Sequence, residues 1–177
     1  MSTKPAFQTQ DDSRGAQLTA YVPLVTLVAV AALAGLATSL SINLSMIHWM
    51  HYFMGFFLCT FAMLKLFHPN ACADGFEMYD LLAKKYRSYG YIYPYIELML
   101  GLGYLSFLLP YVTYVLTILV LTFGAIGVVK ALREGLDINC PCMGSVLDVP
   151  LSTVTLTEDL AMVAMAFALL VMRSGVS

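Results

Sequence analysis

Residues 21–40, YVPLVTLVAVAALAGLATSL, run for twenty positions without a charged side chain. At about 1.5 Å per residue, a helix of that length spans the roughly 30 Å apolar core of a bilayer. The rest of the chain suits the same solvent. Of its 177 residues, 60 % are hydrophobic and 11 % are charged, where a soluble domain carries about 25 % charged residues. Mean hydropathy is +0.80. So much apolar surface has no core to enter in water, and lipid supplies the missing surroundings. Nine Lys and Arg against eleven Asp and Glu give a net charge of −2, too small to draw a nucleic acid.

Outward from that run, residues 1–18 are polar, with Lys4, Asp11, Asp12 and Arg14, and read as a disordered leader. Residues 19–45 then form an N-terminal transmembrane helix. The small residues from Ala34 to Ser41 admit a cleaved signal peptide as the competing reading, but the apolar stretch is long for one. A second run, Ile47 to Phe67, is interrupted only by His48, His51, Cys59 and Lys65. The polar stretch His68 to Ser88 suits a short amphipathic helix at the interface. Tyr91–Leu109 and Tyr111–Leu132 follow, divided by Pro110, which demands a tight turn. Tyrosines 89, 91, 93 and 95 fit an interfacial aromatic belt. The last segment, Leu160 to Met172, is too short to span alone. Starting it at Leu151 restores the length but takes in Glu158 and Asp159, acids that must face protein or water.

The expected fold is therefore an all-α integral membrane protein with five transmembrane helices. Orientation follows from the cations. With the N-terminus in the cytoplasm, the inner side holds Lys4, Arg14, Lys65, Lys84, Lys85, Arg87, Lys130 and Arg133, and the outer side only Arg173. This is a multi-pass protein of the inner (plasma) membrane with its C-terminus outside. Cys72, Cys140 and Cys142 then lie on the cytoplasmic side.

Cys140-Pro141-Cys142 is the stretch richest in chemistry. It follows Arg133-Glu134-Gly135, where a helix should end, and precedes Met143-Gly144. Pro141 fixes one backbone angle and Gly144 permits an unusual one, so both thiols sit on a short, shaped loop. Two cysteines one residue apart close only a small, strained ring, which suits exchange better than a permanent staple. The same spacing suits two thiolates gripping one soft cation. Two inert buried thiols are the bland alternative, although Asp137 and Asn139 beside them make a poor apolar core.

At 100° per residue, His48, His51, Gly55, Cys59, Ala62 and Leu66 share one helix face. That face is either a track of soft ligands leading toward Lys65 and Cys72, or interfacial histidines with a small packing cysteine. Met46, Met50 and Met54 on the opposite side read as packing. Glu97 and Lys65 stand at similar depths on neighbouring segments and pair as buried charges, because an unpaired charge there is expensive. Glu97, Glu158 and Asp159 are also candidates for proton handling. Phosphate-binding glycine loops, metalloprotease helices and serine elbows do not occur in the sequence.

The stretches His51-Tyr52-Phe53-Met54-Gly55-Phe56-Phe57, Phe61-Ala62-Met63-Leu64-Lys65, Gly75-Phe76 and Tyr79-Asp80-Leu81-Leu82-Ala83 resemble the MauE/DoxX group of redox-associated membrane proteins. So do Tyr93-Pro94-Tyr95-Ile96-Glu97 and Asn139-Cys140-Pro141-Cys142-Met143-Gly144. The resemblance covers residues 47 to about 172. It implies a four-helix DoxX-like bundle over 46–173, to which 19–45 adds a helix. It also implies disulfide formation in, or maturation of, a cysteine-rich partner, with Cys140 and Cys142 as the redox pair and Lys65 and Glu97 as the buried polar pair. The chain departs from the methylamine-utilisation branch in that its thiol pair faces the reducing cytoplasm.

Three readings follow. The first is a membrane thiol–disulfide oxidoreductase in which Cys140 and Cys142, with Cys72, exchange with a protein thiol partner and need no cofactor. The second is a relay for Cu(I) or Hg(II), with His48, His51, Cys59, Cys72, Cys140 and Cys142 as ligands and a metal-binding domain as partner. The third is a non-catalytic membrane scaffold.

Overall fold

The computed structural model describes residues 21–42, 44–79, 83, 85–133 and 151–174. Six helices account for nearly all of them: α1 (Val22–Ile42), α2 (Met46–Phe67), α3 (Pro69–Tyr79), α4 (Ser88–Ser106), α5 (Pro110–Arg133) and α6 (Leu151–Ser174). There is no strand among the described residues.

Among the described residues, three helices are long and apolar enough to cross a bilayer: α1, α2 and α5. With them the chain is a multi-pass membrane protein. α4 and α6 have 19 and 24 residues, but tyrosines and Glu97 dilute the first, and Glu158 and Asp159 the second. α6 begins at Leu151, so the acids lie well inside it.

Within the polar stretch His68 to Ser88, Pro69–Tyr79 form α3, a short helix as the mixed pattern implies. The turn between α4 and α5 is tight because Phe107 (φ 55°) and Leu109 (φ 47°) both adopt left-handed backbone. The Phe107 amide donates to the Tyr104 carbonyl, and Pro110 opens α5 where its missing N–H costs nothing.

α2 packs along α4, α5 along α6, and α1 along α2; α3 lies against α4. Among the described residues, the helix that α1 packs along is α2, so it sits at the edge. The interior is built from Met54, Leu58, Phe61, Leu100, Tyr104, Tyr114, Leu121 and Leu169. Leu33, Met99, Leu119 and Phe167 face outward, more than half exposed, as lipid-facing residues do.

Close approach of α2 and α4 depends on two glycines. A side chain on Gly101 would start 2.7 Å from Cys59 Sγ and 3.1 Å from the Gly55 carbonyl oxygen. Small residues in this pattern let membrane helices approach until their backbones meet.

Candidate functional site

Apart from Arg173, the charged residues of the helices gather at one end of the bundle. Lys65 is in the last turn of α2, and its Nζ lies 2.5 Å from Glu97 Oε2 on α4. Both side chains are nearly enclosed, at 13 % and 6 % exposure. Tyr93 stands one turn before Glu97 on the same face of α4, and Lys65 Nζ lies 5.2 Å from its ring centroid. The ammonium is thus held by a carboxylate and an aromatic face.

α6 brings Asp159 to the same place. The space above Gly124 of α5 is bounded by Asp159 Oδ2 and the Tyr93 hydroxyl, 3.6 and 3.9 Å from where a side chain on Gly124 would begin. Asp159 is close enough to Lys65, Glu97 and Glu158 for all three charges to act on it. One ammonium therefore faces several carboxyl groups contributed by α4 and α6, an arrangement that can hold and pass a proton.

α3 closes this end. Phe76 packs on Tyr93 with ring centroids 4.6 Å apart. Gly90 lets α4 meet the backbone of Ala73, beside the fully buried Cys72. On the outer side, Arg87 pairs with Asp74 and, at 3.4 Å, with Glu77, while the Tyr91 hydroxyl donates to Asn70 Oδ1 at 2.9 Å. The Tyr91 hydroxyl and the Asp74 carboxylate push the Arg87 guanidinium further into its charged form.

The connection from Arg133 at the end of α5 to Leu151 at the start of α6 leaves and returns at this same end. Cys140 and Cys142 belong to that connection and lie outside the described residues.

The opposite end is organised around His51, which is fully buried rather than interfacial. Its Nδ1 lies 3.2 Å from the Tyr104 carbonyl oxygen, which can only accept, so Nδ1 carries the hydrogen. Nε2 is left to accept from the Tyr114 hydroxyl. The Arg173 guanidinium lies beside that hydroxyl, and Phe107 stacks on the imidazole at 4.2 Å.

The sequence-derived candidates therefore separate into two groups. Lys65, Glu97, Asp159 and Glu158 converge, with Cys72 at the same end. His48 and His51 lie at the other end, and Cys59 is a half-buried free thiol packed on Gly101 between them. Among the described residues, no three of His, Cys, Asp and Glu are grouped to hold a metal ion. Met50 and Met54 are buried packing residues, and Met46 is exposed.

Sequence reasoning missed Tyr93, whose ring lies by Lys65 and whose hydroxyl borders Gly124 as Asp159 does, and it missed the His51–Tyr114–Tyr104 set. The spacing Tyr93–Glu97, one helical turn, carried the first signal. The second had none, since its partners are 53 and 63 positions away.

The profile of the family described as Methylamine utilisation protein MauE matches residues 43–172. No curated protein and no solved structure matches the chain.

Proposed function

The chain belongs to the family of the methylamine utilisation protein MauE, and from that premise we propose that it is a membrane thiol–disulfide redox protein acting through Cys140 and Cys142. The observation that carries this reading is the charged cluster Lys65–Glu97–Asp159. It lies at the end of the bundle from which the Cys-Pro-Cys connection leaves α5 and to which it returns. Thiol exchange needs a thiolate and a place for its proton, and the carboxyl cluster at that end of the helices is suited to supply the second.

In the proposed step, a thiolate of a partner protein's dithiol attacks the Cys140–Cys142 disulfide. One sulfur–sulfur bond breaks and a mixed disulfide forms. The partner's second thiol resolves it, so the partner is oxidised to a disulfide and the pair is reduced to two thiols that keep the partner's two protons. Run in reverse, the same exchange reduces the partner. Cys72, on α3 at the same end, is the third thiol of this reading.

In this reading the chain crosses the membrane five times, with α1 (within 19–45) set beside a four-helix core over 46–173. The N-terminus is cytoplasmic. A relay for soft cations draws less support, because His51 has both ring nitrogens engaged. The test is trapping. Cys142→Ser is expected to accumulate a mixed disulfide through Cys140, visible as a reducible adduct on a gel. No adduct from either Cys140→Ser or Cys142→Ser, in cells where the wild-type protein is functional, would remove the reading.

A further inference from the structure

The second end of the bundle carries a cavity of about 470 Å³ that the redox reading leaves unused. Its polar side chains can all donate hydrogen bonds, and one of them, Arg173, can only donate. Arg173 in the last turn of α6 supplies a guanidinium, and no carboxylate pairs with it among the described residues. His48 on α2 lines the same space, and its Nδ1, enclosed in the free protein, has no hydrogen-bond partner. The Ser45 hydroxyl does not bond to the helix it caps, so α2 also turns its first-turn amides toward this end. No acidic side chain lines the cavity. Its remaining walls are apolar or aromatic: Phe107, whose ring lies 5.5 Å from that of His48, Tyr111 and Met172. Arg173 is held in place at both ends of its residue. Its guanidinium lies 5.8 Å from the Tyr111 ring centroid, and its carbonyl oxygen accepts from the Tyr111 hydroxyl at 3.4 Å.

A guanidinium merely reaching for the interface would leave unexplained why His48, with an unpartnered ring nitrogen, and Ser45 line the same acid-free cavity, since a small turn of the imidazole would let a ligand satisfy that nitrogen. We propose that this cavity binds a phosphate group, with Arg173, His48 and Ser45 donating to its oxygens. Arginine suits phosphate because its fork of donors matches two oxygens at once. The apolar walls and the position at the end of the membrane helices favour a phospholipid head group over free phosphate. The site is independent of the thiol chemistry and at the opposite end of the bundle from it.

The test uses the purified full chain in neutral detergent, with native mass spectrometry and thermal unfolding as readouts. Dioleoyl-phosphatidylglycerol is compared with dioleoylglycerol, which has the same chains without the phosphate, and with inorganic phosphate. The phosphatidylglycerol adduct is expected to form on the wild-type protein and to raise its unfolding temperature, with dioleoylglycerol doing neither. Arg173→Gln is expected to weaken the adduct about tenfold or more, and His48→Leu by less, as charged and neutral hydrogen bonds differ. Lys130→Gln, at the other end, is expected to leave it unchanged. Arg173-dependent stabilisation by inorganic phosphate alone would support the phosphate site and assign it to the free ion. Equal binding of the two lipids by the wild-type protein overturns the proposal without needing any variant. So does an adduct that neither Arg173→Gln nor His48→Leu weakens.

Discussion

The pair Lys65–Glu97 is a buried ion pair at 2.5 Å whose lysine also faces Tyr93. Removing one partner strands the other in an apolar interior. Glu97→Gln and Lys65→Met are each expected to destabilise by about 3–5 kcal/mol, and the double variant by clearly less than their sum. Denaturant titration in detergent reads that coupling, and additive losses would mean that the two side chains do not depend on each other. At the other end, Tyr114→Phe removes the hydroxyl that His51 Nε2 accepts from. It is expected to cost about 1–3 kcal/mol by the same measurement, because a buried acceptor loses its donor. The left-handed residues of the turn separate by their contacts. Leu109 is 72 % exposed, so Leu109→Gly relieves its backbone and is expected to be neutral or stabilising by about 1 kcal/mol. Phe107→Gly loses the stack on His51 and the edge contact to Tyr52, and is expected to destabilise.

Helices were the most legible part of the chain, because every apolar run but the last fills about the length that a bilayer asks for. α3 was legible from its mixed composition, and the break before α5 from Pro110. The depth of Lys65 and Glu97 on adjacent helices was enough to pair them on paper. What the sequence could not convey is register. Asp159 and Tyr93 border the same space because α5 presents Gly124 at that level, and nothing in the order of residues says which level of α5 meets which level of α6. His51 misled for a related reason. A histidine in the first turns of a membrane helix reads as interfacial until the α4–α5 turn folds Phe107 over it. The seam between α2 and α4 is an element-scale property that follows from this packing. Gly101→Val is expected to cost about 1–3 kcal/mol, since its side chain would meet Cys59 and backbone rather than open space. Cys59→Ala, by contrast, is expected to leave partner oxidation intact, which measures packing against ligand duty for that thiol.

On the scale of the whole molecule, the bundle has two unlike ends. One holds the acids, Lys65 and Cys72, and is where the Cys-Pro-Cys connection begins and finishes; the other holds His51, His48 and Arg173. Under the proposed five crossings the first end faces the cytoplasm, so an introduced Leu44→Cys should react from outside intact cells and Lys85→Cys only after the membrane is opened. The central claim is that Cys140 and Cys142 cycle between dithiol and disulfide. It is tested most directly by alkylating the cysteines with a mass tag in rapidly acid-quenched cells, with and without prior reduction. The expected result is a fraction of the chain in which both thiols resist the tag until reduced, lost together in Cys140→Ser and in Cys142→Ser. Full tagging of both without reduction, in cells where the protein is active, would contradict it.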